Sequence, residues 1–277
     1  MNLDFDRDVY KEYEKWFTVS PNDILFVKGS RQVGKTYSIK KFCKKNFRNV
    51  YYLNLTTGEG LDLIKYCKIS SDMVNNIYKC FPKFIDSEDS VIIIDEIQLD
   101  PNVYNGATDL KSKMKCRVVL SGSYLGLIDV DNKFFKYIGE FFEVSVKPLS
   151  FSEFTKIFGM HDLFISLDLF GKSSKEDYLK IKKLFLLYTM LGGMPKAVSR
   201  FLDLGSYGFL KELNTLKATF IREAFYYNSG VYKYDVIETF LKYLRVFIAT
   251  QRNGTNVNIS SELKKISIKD DKLNLSK

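Results

Sequence analysis

Histidine is nearly absent from this chain of 277 residues, and cysteine is sparse. Four cysteines, Cys43, Cys67, Cys80 and Cys116, are scattered without a CxxC pair, and His161 is the only histidine, so no common zinc pattern can be assembled. They read as buried thiols in a reducing cytoplasm. Long hydrophobic runs are also missing. The longest uncharged stretch near Leu184, "LFLLYTMLGGMP", is too short to span a bilayer, and the opening "MNLDFDRDVYKEYEKW" is charged throughout, so no signal peptide is expected there. A soluble, cytoplasmic protein without membrane contact is expected. There is no internal repeat and no low-complexity segment.

What is abundant is apolar and basic. Hydrophobic residues make up 45% and aromatics 15%, with 23 Phe and 18 Tyr, far too apolar for a disordered chain. The length allows one large domain or two modest ones, and favours two. The 42 Lys and Arg against 33 Asp and Glu leave a net charge of +9. That surplus suits a polyanionic partner, and equally a Lys-rich solvated surface.

Short apolar runs recur through the first half: "ILFVK" at 24–28, "VYYLN" at 50–54, "VIIID" at 91–95, "RVVLS" at 117–121 and "FFEVSV" at 141–146. Helical or irregular segments separate them, the arrangement required by a parallel sheet covered on both faces. The run Tyr37–Phe47 has helical spacing, with Ile39, Phe42, Cys43 and Phe47 on one face and Lys40, Lys41, Lys44, Lys45 and Arg48 on the other. The basic face reads as solvated rather than as a nucleic-acid ridge. After "KPLSFSEF" the pattern turns helical, notably at 176–191 and 207–225, and "QRNGTNVN" at 251–258 breaks a helix before the capped stretch "ISSELKKIS".

Between the first strand and its helix, "GSRQVGKT" matches G-x-x-x-x-G-K-[ST] with Gly29, Gly34, Lys35 and Thr36 at the fixed places. Such a loop, here Gly29, Ser30, Arg31, Gln32, Val33, Gly34, Lys35, Thr36 and Tyr37, turns its backbone N–H groups inward on a phosphate, with the dipole of the following helix behind them. Lys35 would reach the β and γ phosphates, and the Thr36 hydroxyl would ligate Mg²⁺. The strand before the loop and the helix after it supply the required context.

Two acids, Asp95 and Glu96, end the run "SVIIIDEIQ". A carboxylate at the end of a buried strand needs a cation. Asp95 is suited to holding Mg²⁺, and Glu96 to orienting or deprotonating the attacking water. The second acid points to hydrolysis by water rather than transfer to a bound acceptor. In "RVVLSGSYLG", Ser121 and Ser123 close another strand. Ser123 is the candidate for sensing the γ-phosphate, an ordinary Gly-Ser turn being the alternative.

Five ordered motifs, "GSRQVGKT", "IIIDEIQ", "VVLSGS", "KPLSFSEF" and "LGGMPKAV", resemble those of the prokaryotic AAA+ ATPase family over residues 20–265. The resemblance implies an α/β P-loop NTPase fold with a five-stranded parallel sheet in the order 5-1-4-3-2. It implies a nucleotide-binding domain at 1–155, a helical lid at 156–230 and the start of a winged helix at 231–277. It also puts "GGMP", Gly192 to Pro195, in the lid near the adenine, although a helix-ending turn reads the same way. "NISSELKKIS" is similar to the start of the family's helix-turn-helix, and a short capped helix would look alike.

The chain departs from the family pattern in two places. Members often carry Gly-Arg where this sequence has Gly139-Glu140, leaving Arg200 and Arg222 as alternatives for an arginine that acts on a neighbour's nucleotide. Similar proteins also continue into a nuclease-like domain, whereas this sequence ends at "DDKLNLSK", so the winged-helix segment is expected to be incomplete. The expected activity is Mg²⁺-dependent ATP hydrolysis driving a conformational switch. ATP is expected rather than GTP because no guanine-reading N/T-K-x-D occurs. A DNA-binding regulator using ATP only as a switch, contacting DNA through the C-terminal region, is the alternative from another class; a scaffold without turnover is a third. Assembly into a homo-oligomer is admitted by all three.

Overall fold

The computed structural model describes residues 5–123, 141–168 and 170–227. The chain divides into two compact units, Met1–Asp203 and Leu204–Lys277. In the first, helix α1 (Val9–Val19) precedes strand β1 (Ile24–Lys28), helix α2 (Lys35–Asn46), strand β2 (Asn49–Asn54), helices α3 (Gly58–Ile69) and α4 (Met73–Cys80) and strand β3 (Ser90–Asp95). A 3₁₀ turn (Ile97–Leu99), helix α5 (Pro101–Lys113) and strands β4 (Arg117–Gly122) and β5 (Phe141–Ser145) follow.

The five strands form one parallel sheet in the order β2-β3-β4-β1-β5, the order expected from the resemblance. Alternation along the strands builds two cores. Ile24, Phe26, Ile92, Ile94, Val118 and Leu120 point to one face, where Leu63, Met73, Ile77, Val103 and Leu110 of α3, α4 and α5 cover them. Leu25, Val27, Val91, Ile93 and Val119 point to the other, against Tyr13, Trp16, Ile39 and Phe42 of α1 and α2. Each large side chain so enclosed contributes about 1.5–3 kcal/mol, and this two-sided burial is why the strands read as nearly continuous apolar runs.

Register then sets the ends of the strands. Val27 pairs with Ser121, and Ser121 with Asp95, so the C-terminal ends of β1, β4 and β3 are level. The next residues of each strand therefore emerge side by side on one rim.

The helical part begins with α6 (Phe151–Ile157), whose Ser150 cap and Glu153 complete a reciprocal capping box. Short α7 (His161–Ser166) and long α8 (Lys175–Leu191) follow. Phe151, Phe154, Phe185 and Tyr188 pack ring against ring between α6 and α8. At the end of α8 a Cβ on Gly193 would collide with the Leu149 carbonyl oxygen, and Leu149 N–H donates to the Gly193 carbonyl at 2.6 Å. The "PLS" and "GG" stretches are thus two sides of one close backbone contact. The next helical run, α9 (Pro195–Tyr227), is interrupted at Gly205 (φ 64°, ψ −153°).

Several expectations need correction. Helix α2 begins at Lys35, earlier than Tyr37, because Gly34 at φ 94° caps it in a left-handed turn that glycine adopts without cost. The helix expected at 207–225 is present, starting just past the interruption at Gly205, and the helical run from Pro195 up to that point was not foreseen. Of the thiols, Cys43 and Cys116 are buried, while Cys67 and Cys80 are only partly so. Lys40 leaves the solvated face: its ammonium sits 3.1 Å from the centre of the Tyr52 ring. Among the described residues no helix is long and apolar enough to cross a membrane. The expectations for Glu140, for 251–258 and for "NISSELKKIS" lie outside the described residues.

Candidate functional site

The loop from Gly29 to Gly34 wraps from the end of β1 into α2. Its tight curl needs unusual backbone: Gly29 and Gly34 have φ of 152° and 94°, and Gln32, which is not glycine, sits at φ 63°. A Cβ on Gly29 would collide with the backbone carbonyl of Val146, so glycine is required there by space as well as by dihedral angle. Val33 is fully buried and anchors the outer side of the loop, whereas Ser30 and Tyr37 are exposed. Arg31, Gln32 and Thr36 are half-buried.

Lys35, only 6% exposed, turns back over the loop. Its ammonium donates to the carbonyls of Gly29 and Ser30, both at 2.8 Å, and to the Ser123 hydroxyl at 3.0 Å. One residue on, Thr36 Oγ1 donates to Asp95 Oδ2 at 2.6 Å. The same carboxylate oxygen accepts from the Tyr52 hydroxyl at 3.1 Å, while Oδ1 takes the Glu96 N–H at 3.0 Å. Burial, and after it the Asp95 charge, push the Tyr52 phenol up to about 12, so Tyr52 stays a donor near neutrality. Lys40 over the Tyr52 ring is shifted the other way, downward, chiefly by burial.

Glu96 occupies a left-handed backbone conformation at φ 60°, which turns its side chain toward the loop. There Arg31 Nη1 donates to Oε1 at 3.2 Å and Gln98 Nε2 to Oε2 at 2.6 Å. Lys35, Thr36, Asp95, Glu96 and Ser123, read from three separate motifs, therefore meet on one rim. Pro195 lines a cavity of about 200 Å³ with Phe5, Arg7, Gln32, Gly34 and Tyr37, a lining that includes neither carboxylate. Arg200 and Arg222 are both exposed. A larger cavity, about 590 Å³, opens beside Asp23, Ile24, Lys115 and Arg117 at the opposite end of the strands, where no motif points.

Sequence reasoning missed Tyr52, Gln98 and Arg7. Tyr52 was visible only as a strand residue, and its ladder partner Ile93, two positions before Asp95, is what brings it to the rim. Gln98 stood inside the quoted "DEIQ" without a role. Arg7 carried no local signal.

A parallel sheet in the order 2-3-4-1-5, with a phosphate-loop turn between its first strand and helix and an acid pair ending its third, is the fold of an α/β P-loop NTPase. Within that class, residues 21–155 match the family model of the AAA domain, a match that supports nucleotide binding. Similar solved structures include the Aeropyrum pernix ORC1 protein in complex with DNA, at 12% identity and a TM-score of 0.38, with 58% of this chain and 50% of that one covered. The Pif1 helicase from Candida albicans is another, at 14% identity and a TM-score of 0.35, with 64% and 47% covered. This chain thus spans about half the length of those two. No curated protein matches it.

Proposed function

We propose that residues 1–155 form an Mg²⁺-dependent module that binds and hydrolyses ATP, and that the nucleotide state repositions a lid at 156–230 and a helix-turn-helix segment at 231–277. The observation that supports this most is the convergence of the Lys35 ammonium, the Ser123 hydroxyl and the Thr36–Asp95 pair on the rim beside the loop. In this reading Lys35 neutralises the β and γ phosphates, the loop amides from Gly29 to Thr36 accept them, and Ser123 stands beside the γ-phosphate. Glu96 orients the attacking water or removes its proton once Arg31 and Gln98 release it. Pro195 and Tyr37 border the cavity assigned to adenine.

The donor set suits Mg²⁺. Thr36 and Asp95 offer adjacent hard oxygens. Mg²⁺ usually takes one or two protein oxygens and completes its shell from phosphate and water. When bound, it supplies charge neutralisation for the phosphate chain. The homo-oligomer and the cytoplasmic location belong to the same proposal.

The test is a pair of variants measured for binding and for phosphate release. Lys35→Ala is expected to lower turnover by about two to three orders of magnitude. Glu96→Gln is expected to bind nucleotide like the parent while turnover falls about 10²–10⁴-fold. Parent-like turnover in both would remove these roles. A second reading, a DNA-binding regulator that uses ATP only as a switch, draws on the +9 charge. It requires salt-dependent binding to duplex DNA, and no binding at low salt ends it.

A further inference from the structure

The segment ahead of α1 contributes a residue that no motif accounts for. Arg7 is 7% exposed, and its guanidinium ties three distant pieces of chain together. Nε donates to Glu153 Oε1 at 3.0 Å, Nη1 to the Val33 carbonyl at 3.0 Å, and Nη2 to the Lys147 carbonyl at 2.6 Å. Glu153 is held in turn. Its Oε2 accepts the Ser150 N–H at 2.8 Å within the α6 capping box, and its Oε1 also takes the Asp8 N–H at 2.7 Å.

A buried arginine–carboxylate pair is weak evidence of a contribution to stability, since desolvation can exceed the Coulombic gain. Its acceptors suggest another purpose. Val33 lies in the phosphate loop, and its carbonyl shares a planar trans peptide with the Gly34 N–H, so the two point in opposite directions. Gly34, at φ 94°, imposes little preference of its own on that peptide's orientation. That orientation is open to a contact from outside the loop, and Arg7 is bonded to the Val33 carbonyl itself.

We propose that Arg7 is a positioning residue for the phosphate loop: by holding the Val33 carbonyl outward it aims the Gly34 N–H inward, where a phosphate oxygen accepts it. Glu153 sets the position of Arg7 from the cap of α6, so the start of the helical part and the loop are braced together. The inference rests on the nucleotide-binding reading above and adds to it a residue outside the motif.

The experiment titrates ADP and, separately, inorganic pyrophosphate into the full chain, Arg7→Ala and Glu153→Gln, while the Gly34 amide resonance is followed in ¹⁵N-labelled protein. Arg7→Ala is expected to weaken both ligands by about tenfold to a hundredfold, the effect of losing hydrogen bonds from a charged group. The Gly34 amide, expected to move downfield on ligand addition in the parent, should then stay near its free position. Glutamine at 153 still completes the capping box, so Glu153→Gln tests the brace even if Arg7→Ala does not fold, and it should weaken both ligands several-fold. Parent-like affinity and Gly34 shift in the folded variants overturn the proposal. So does a loss seen with ADP but not pyrophosphate, because Arg7 would then serve the neighbouring cavity. If the parent takes up neither ligand, the nucleotide reading falls first and this one with it.

Discussion

At the N-terminal ends of the strands the polar side chains bond mainly to backbone, whereas at the C-terminal ends they bond largely to one another. Asp86 accepts the Lys115 and Cys116 N–H groups, Ser90 donates to the Ile85 carbonyl, and Arg117 donates to the Phe17 carbonyl while lying 4.4 Å from that residue's ring centre. At the other end Lys35 meets Ser123, Thr36 and Tyr52 meet Asp95, and Arg31 and Gln98 meet Glu96. The first set fixes the course of the chain. The second consists of charged, hydroxyl and amide groups whose partners a charged ligand can replace, and two non-glycine residues at this end, Gln32 and Glu96, are in left-handed backbone. Strain and partly buried charge gather where parallel strands end, the place where open α/β sheets bind ligands.

Gly29→Ala should break the C-terminal end most severely. The new Cβ meets the Val146 carbonyl, backbone and not a flexible side chain, and the N–H of that same residue donates to the Lys28 carbonyl at 2.7 Å, at the seam between β1 and β5. Steric overlap and an unfavourable dihedral together cost about 3–5 kcal/mol. Denaturant unfolding should show that loss, with nucleotide affinity lowered as well. Gly58→Ala is the control: φ there is 49°, yet nothing lies within 4 Å of the added carbon, so only dihedral strain of about 1 kcal/mol is expected. Equal stability losses in the two variants would refute the packing argument.

The N-terminal end answers with the opposite signature. Arg117→Ala removes a charged hydrogen bond to Phe17 and the guanidinium's contacts with Trp16, Phe17 and Phe47. A loss of about 2–3 kcal/mol in stability is expected, with the turnover of the folded fraction unchanged. A fall in turnover without a fall in stability would erase the distinction between the two ends.

How much of this was legible in the sequence depends on how far apart the interacting residues lie. "ILFVK", "VIIID" and "RVVLS" announce buried parallel strands because two-sided burial leaves them no polar alternation, and "GSRQVGKT" announces its loop because the glycines sit within eight residues of one another. Sheet order came from the resemblance, since apolar strands of similar length carry no pairing code of their own. Arg7 and Glu153 are 146 positions apart, and Lys40 meets Tyr52 only once β2 has folded beside α2. The helix expected from 207 stands, but the helical stretch from Pro195 up to Gly205 was not foreseen, and only the backbone angles of Gly205 separate the two.

The mildest prediction tests whether the C-terminal end is organised around Asp95 beyond the motif residues themselves. Tyr52→Phe removes a single hydroxyl, the donor that shares Asp95 Oδ2 with Thr36, and leaves the ring beneath Lys40 in place. One hydrogen bond to a charged acceptor is worth about 1.5–3 kcal/mol at most, and less at this half-buried position. If Tyr52 only fills space, the variant should match the parent at every Mg²⁺ concentration. If it orients the carboxylate, the Mg²⁺ concentration for half-maximal turnover should rise about threefold to tenfold, with the maximal rate at saturating Mg²⁺ recovered. A fall in the maximal rate that Mg²⁺ does not restore would instead assign Tyr52 to the chemical step, because the hydroxyl would then act on something other than the position of Asp95.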